Sequence, residues 1–159
     1  MTHSRFLILL SLAIWLGALV FFPAVAQTAF ATLPPHLAGL VIRGSLLKVH
    51  WMAFCCGLIF LASSLSYNRL SLGRTRALSA SHILIFIMLA LTAVSQFRII
   101  PRMDALRISA GEIASLASDN PMRAQFDALH ARSTRLEETI LVLALLVLYL
   151  TSQRLSNRG

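Results

Sequence analysis

Polar side chains recur at seven-residue steps through one apolar stretch of the sequence. They are His36, Arg43, His50, Gly57 and Ser64. A step of seven residues returns to nearly the same side of an α-helix, so these residues share one slowly drifting face. We expect this face to point into the protein, because polar groups that face lipid are costly.

Two later stretches carry polar residues that helical spacing would bring to one side. Thr92, Ser95 and Gln96 precede two arginines, and His130 is followed by Ser133, Thr134 and Glu137 at offsets of three, four and seven residues. The candidate ligand-binding site that we predict from the three stretches consists of His50, Gln96, Arg98, Arg102, His130, Ser133 and Glu137.

The candidate site combines imidazole, carboxylate and guanidinium groups, which could support several kinds of chemistry. His50 and His130 could jointly ligate haem or a metal ion, and His130 with Glu137 could relay protons. The sequence has no CxxCH, HExxH or carboxylate-His repeat and no Gly-rich phosphate loop, so we predict no cofactor and no metal site. Polar residues at helix ends also serve packing and anchoring alone. We rank packing above ligand binding, and ligand binding above redox chemistry.

Composition indicates that these residues belong to a membrane protein. The 159 residues are 57% hydrophobic and 13% charged, whereas about a quarter of the residues of soluble domains are charged. The 14 Lys and Arg residues, which give a net charge of +8, cluster at the edges of apolar windows and do not form one basic face. We therefore predict anchoring in a lipid bilayer and no nucleic-acid partner. Adjacent Cys55 and Cys56 indicate packing, not a disulfide.

Four windows lack Asp, Glu, Lys and Arg, namely 6–42, 49–68, 77–97 and 139–153. A hydrocarbon core about 30 Å thick needs about 20 helical residues, so the first three windows suffice and the fourth is short. We predict an all-α, four-helix transmembrane bundle that forms a single domain over residues 1–159. The expected spans are about 6–30, 46–67, 78–98 and 134–153.

The first apolar window also resembles a secretory signal peptide. Arg5, an apolar run and Ala24-Val25-Ala26 imitate the basic, hydrophobic and cleavage regions of such a signal. The apolar stretch continues past the apparent cleavage site to Leu33, beyond the usual length of a signal core. We therefore favour a retained first helix.

Charge distribution predicts the orientation. The short segments on one side are basic without acids, whereas all six acidic residues lie between Arg98 and Glu138 on the other side. The positive-inside rule then places both termini in the cytoplasm. The basic residues used for this prediction are Arg5, Arg69, Arg74, Arg76, Arg154 and Arg158.

Prolines mark the expected ends of the helices. Pro35 is well placed to open a helix from His36 to about Tyr67, and Pro101 is expected to interrupt or kink the third helix. A turn at 118–121 should start a helix near Pro121 that continues through the fourth span for about 50 Å. The apolar residues predicting an amphipathic helix between these points are Met103, Leu106, Ala110, Ile113 and Ala117. The third and fourth helices should therefore extend beyond the membrane as a helical hairpin at about 102–133.

The short fourth window makes Glu137 the most informative single residue. A full span must include Glu137 and Glu138 at its outer edge. Glu137 shares a helix face with His130 and Ser133, whereas Glu138 is rotated by about 100°, so Glu137 is the inward carboxylate. Its expected partners are Arg102 or Arg98, Arg43 or His50, and Gln96.

Three motifs resemble one known family over essentially the whole chain. They are Trp15-x-Gly17 followed by Pro23, Pro101-Arg102-Met103 followed by Arg107, and Phe126-x-x-Leu129-His130-x-x-Ser133. In this order they resemble the transmembrane protein 205-like family, also called domain of unknown function 4149. The resemblance implies a small four-span membrane protein of unestablished biochemical function. Relatives often carry an amide side chain where this chain has Glu137.

The sequence thus predicts a small multi-pass integral membrane protein, in the cytoplasmic membrane if the source is bacterial. We favour a non-enzymatic protein that lies in the lipid bilayer and binds a small molecule, a lipid or a partner protein. The ligand would bind in a polar pocket at the non-cytoplasmic ends of the second, third and fourth helices. The alternative is a haem- or metal-binding membrane redox subunit that uses His50 and His130.

Overall fold

The chain folds into long α-helices. The computed structural model describes residues 2–72 and 79–156. The helices are α1 (Thr2–Thr32), α2 (Pro35–Leu72), α3 (Ala80–Val94), α4 (Ile100–Ala110) and α5 (Pro121–Ser156). A five-residue π-helix, Ser95–Ile99, joins α3 to α4, and a 3-10 turn occupies Ile113–Ser115. These described residues contain no strand, which confirms the all-α prediction. Arg74, Arg76 and Arg158, on which the predicted orientation partly depends, lie outside them.

Four helical segments are long and apolar enough to cross a membrane. They are His3–Thr32, Pro35–Arg69, Ala80–Ala110 and Pro121–Arg154. Large apolar side chains such as Phe21, Leu58, Phe86 and Val142 remain exposed around the bundle. An apolar exterior of this kind suits contact with lipid tails and would be unfavourable in water.

The four spanning segments pack around a shared apolar core. α1 contacts α2 and α5, and α3 also contacts both α2 and α5, so each helix has two neighbours. Trp15, Phe60, Ile85, Met88 and Val147 are among the core side chains, one or two from each helix. A smaller cluster of Ile99, Met103 and Leu129 continues the packing where α4 meets α5.

α4 and the start of α5 form an antiparallel helical hairpin, at what we call the hairpin end of the bundle. The side-chain oxygen of Asn120 accepts a hydrogen bond of 2.9 Å from the backbone N–H of Met122, which caps α5 as expected for the turn before Pro121. The predicted helix through Ala117 is wrong in its extent, because α4 ends at Ala110. Gly111 has a φ of 70°, a conformation that glycine adopts without strain and that stops the helix.

Pro101 was predicted to interrupt or kink the third helix. The chain stays helical there, but a π-helix replaces the regular α-helix at Ser95–Ile99. Proline has no backbone N–H, so the usual bond to the carbonyl four residues earlier is lost at this position. The preceding turn widens instead, and the N–H of Ile100 donates to the carbonyl of Ser95, five residues earlier. This π-helix changes which side chains face the bundle.

Candidate functional site

His50 connects three helical segments at the hairpin end of the bundle. Its Nδ1 lies 2.7 Å from Oε1 of Gln96 in the π-helix, and its Nε2 lies 2.8 Å from Oε1 of Glu137 on α5. The His50 side chain is 1% exposed, and the Glu137 side chain is 15% exposed. A buried imidazole is thus bonded through both ring nitrogens, and it is joined to a carboxylate that water can partly reach.

The hydrogen-bond partners of His50 restrict where its protons lie. A carbonyl oxygen only accepts, so Nδ1 of His50 donates to Gln96. Nε2 then either accepts from a protonated Glu137 or, as imidazolium, donates to the Glu137 carboxylate. The contact therefore holds one proton between an acid and a base, in a place where solvation is poor.

The π-helix explains how Gln96 reaches His50. Ser95 and Gln96 are consecutive and both buried, and so are Ile99 and Ile100. Adjacent residues of an α-helix point about 100° apart, and the wider π-turn brings both members of each pair toward the bundle. Ser95 also lies beside Ser133 of α5, with 3.4 Å between the hydroxyl oxygens.

The two preceding polar residues of α2 also contact acids. Both nitrogens Nε and Nη2 of Arg43 donate to the two carboxylate oxygens of Asp104 on α4, each at 2.6 Å. His36 lies 3.7 Å from Glu112. We call His36, Arg43 and His50, together with their partners, the α2 polar cluster. The partners are Glu112, Asp104, Gln96 and Glu137.

The α2 polar cluster ends at His50 on the side of the apolar core. Ala53 and Cys56 follow on α2 and are buried in that core. One step farther along the polar face, Gly57 is covered by Leu89 of α3, whose Cδ2 would lie 2.7 Å from an added Cβ. Among the described residues, the acid–base contacts of α2 thus begin at the hairpin end and extend only as far as His50, beyond which α2 packs in the apolar core.

The last member of the seven-residue series lies at the opposite end of the bundle. Ser64 accepts a 3.4 Å hydrogen bond from Nη1 of Arg154, and Arg5 donates to the hydroxyl of Tyr67 at 2.9 Å. These contacts tie α5 to α2 and α1 to α2. They are separated from His50 by the apolar core.

The structure brings His50, Gln96, Glu137 and Ser133 together, whereas the side chains of Arg98, Arg102 and His130 are exposed and lie outside the group. His130 stacks on Phe126 with 6.5 Å between ring centroids. The inward direction that we predicted for His130 is therefore wrong. At this level α5 packs on α4 through Leu129, and His130 is turned away from that contact.

The placement of the histidines bears on the redox alternative. Both ring nitrogens of His50 already contact protein oxygens, and His130 lies on the surface. The two residues therefore do not form a paired-histidine site. Among the residues described, no group of three or more His, Cys, Asp or Glu side chains is arranged to hold a metal ion.

Asp104 and Arg107 make contacts at this end of the bundle, but the sequence did not place them in the candidate site. Arg107 approaches Asp104 at 3.7 Å and lies over the Phe126 ring, 5.0 Å from its centroid. A signal was present, because Asp104 and Arg107 are three residues apart and so share a helix face. Ser95 and Gln96 are buried, as expected for the polar stripe of the third helix, but the π-helix that contains them was not predicted, because hydrophobic periodicity does not reveal it.

Comparison with known proteins identifies one family. The family model described as Domain of unknown function (DUF4149) matches residues 10–112. No curated protein and no solved structure matches the chain. The narrower resemblance to the transmembrane protein 205-like group stays a prediction.

Proposed function

We propose a function for this chain, which belongs to the domain of unknown function 4149 family. The proposal is that it is a non-enzymatic four-span membrane protein that binds a small polar molecule at Glu137. The observation that carries this proposal is the α2 polar cluster. Three residues at seven-residue steps on α2 each contact an acid, and the series leads from an exposed pair to a buried one. Simple helix packing does not require charge at every step of this face.

The chemistry of the cluster indicates the class of ligand. Oε1 of Glu137 contacts His50, and the side chain keeps some exposure through which its other oxygen can be reached. A carboxylate oxygen accepts hydrogen bonds and attracts cations. We therefore infer a small ligand that presents an ammonium group or an amide N–H.

The apolar end of the cluster favours binding over passage. A polar solute that reached His50 would next meet Ala53, Cys56 and the contact of Gly57 with Leu89. Crossing that packing would cost the solute its hydration without compensating hydrogen bonds. With both termini in the cytoplasm, the ligand would enter from the non-cytoplasmic side.

Thermal unfolding of the full-length protein in detergent tests this function. Methylammonium and acetamide supply donors, and acetate serves as the matched compound that only accepts. We expect the two donors, but not acetate, to raise the Tm of the wild type. Glu137→Gln keeps an acceptor oxygen but loses the charge, so it should lose the increment from methylammonium. Glu138→Gln, whose side chain is exposed, should keep that increment.

Equal shifts with donors and acetate, or an unchanged increment from methylammonium in Glu137→Gln, would show that the cluster only holds the helices together. A haem absorption band in the purified protein would support the redox alternative instead.

A further inference from the structure

We propose that the groove between α4 and α5 binds the head group of an anionic phospholipid through Arg102 and Arg132. The groove has a volume of about 510 Å³ and lies on the hairpin, away from His50. This site does not depend on the function proposed above. Arg102, which the sequence grouped with His50, takes part here instead.

Two matching helix faces form the groove. Arg102, Ala105 and Leu106 lie on α4, and Ala128, Leu129 and Arg132 lie on α5. Both sets follow the spacing of one helix face. Because the two helices are antiparallel, Arg102 and Arg132 stand at the same end of the groove, next to the predicted spans. The polar residues Ser109 and Gln125 stand at the other end.

The described residues that line the groove carry only positive charge. No acidic residue is among the described residues that line it. Within the described part of the chain, neither Arg102 nor Arg132 has a salt bridge or a side-chain hydrogen bond, and both are exposed. Arg107 on the same helix differs, since it contacts Asp104 and Phe126. Two guanidinium groups that line one groove can each bind a phosphate by N–H donors.

The position of the groove favours a lipid phosphate over a dissolved anion. The predicted spans end at about residue 98 and begin again at about residue 134. Arg102 then lies about 6 Å beyond the hydrocarbon and Arg132 about 3 Å, within a head-group layer of about 5–7 Å. From the arginines the groove continues away from the hydrocarbon, where Ala105, Leu106 and Leu129 line it, so the part of a head group that lies on the water side of the phosphate can occupy it.

Lipid binding to the full-length protein tests the proposal. Native mass spectrometry in detergent would compare phosphatidylglycerol with phosphatidylcholine, whose head group is zwitterionic. We expect preferential binding of phosphatidylglycerol, weakened about tenfold or more in the Arg102→Gln/Arg132→Gln double variant. Arg98→Gln/Arg135→Gln is the matched control, since it removes the same charge near the same level from exposed residues that do not line the groove.

A second variant tests the shape of the groove. Ala105→Trp fills it while keeping both arginines, and Ala105 is exposed, so folding should be retained. We expect this variant to weaken phosphatidylglycerol binding as well.

Equal loss of phosphatidylglycerol binding in the two double variants would show general attraction to anionic lipid, and no loss in Arg102→Gln/Arg132→Gln would exclude the groove. Full displacement of the lipid by inorganic phosphate would assign the groove to a dissolved anion. Each of these three results would overturn the proposal.

Discussion

Oε1 of Glu137 lies 2.8 Å from Nε2 of His50, so an acid–base contact joins α5 to α2 at the hairpin end of the bundle. Gln96 holds the other nitrogen of the same ring, which adds the π-helix to the contact. Three segments distant in sequence are therefore fixed by one buried imidazole. The stability of this end of the bundle should depend on all three side chains.

Removing one member of the His50–Glu137 contact should destabilise the protein strongly. We expect Glu137→Ala or His50→Ala to lower the free energy of unfolding by about 3–5 kcal/mol, because the remaining partner stays buried without its hydrogen bond. Denaturant unfolding in detergent measures this change. Glu138→Ala is the matched control on an exposed position, with an expected change of less than about 0.5 kcal/mol. Equal effects of the two glutamate substitutions would contradict a buried contact.

Because α2 packs closely on α3 at Gly57, alanine substitutions at two glycines of α2 should have different effects on the free energy of unfolding. Gly57→Ala would place a Cβ 2.7 Å from Leu89 Cδ2, so the side chain must move, and we expect a loss of about 1–3 kcal/mol. Gly44 has no atom within 4 Å of an added Cβ, so Gly44→Ala should be neutral or stabilising by up to about 1 kcal/mol. Unfolding of the two variants in one detergent gives the comparison. If Gly57→Ala left the free energy of unfolding unchanged, α2 and α3 would be packed less closely at Gly57 and Leu89 than the structure shows.

The Arg43–Asp104 contact should give a smaller, measurable coupling. The two side chains share two hydrogen bonds of 2.6 Å, but Arg43 is 38% exposed and solvent screens the pair. A double-mutant cycle with Arg43→Gln and Asp104→Asn should therefore give about 1 kcal/mol. Lys48 is exposed, and no salt bridge to it occurs among the described residues, so Lys48→Gln should be additive with Asp104→Asn. Additivity in both cycles would show that the Arg43–Asp104 contact contributes nothing to the free energy of unfolding.

The sequence was sufficient for the parts of the fold that follow from hydrophobicity and capping. Charge-free windows predicted four apolar helices, and Pro35 and Pro121 begin α2 and α5 as expected. The seven-residue series on α2 predicted the direction of Arg43 and His50, because the helix is regular at these positions.

The sequence was insufficient where a local irregularity or a neighbouring helix decides the outcome. The sequence placed Ser95 and Gln96 on one side of the third helix, but no 3.6-residue pattern predicts the π-helix in which both residues lie. His130 was placed with Glu137 by rotation about α5 alone. Its exposure depends on which side of α5 meets α4, and this follows only from tertiary packing.

The predicted orientation can be tested by labelling single cysteines. In a background with Cys55 and Cys56 replaced by serine, Ser71→Cys and Ser115→Cys should react with a membrane-impermeant thiol reagent from opposite sides. Position 115 should react from the non-cytoplasmic side, because short basic segments stay in the cytoplasm. Reaction of both positions from one side would contradict the four-span orientation.

The most direct test of the central claim is whether aqueous reagent reaches position 137 from the non-cytoplasmic side and goes no deeper. Glu137→Cys and Ala53→Cys, each in the background without Cys55 and Cys56, would be exposed to a small impermeant thiol reagent on that side. Position 137 should react, since the Glu137 side chain is 15% exposed, and position 53 should not, since Ala53 is buried in the apolar core beyond His50. Glu138→Cys, on an exposed neighbour, sets the rate of full access. An unreactive position 137, or a position 53 that reacts as fast as position 137, would contradict a binding site that opens at the hairpin end and closes below His50.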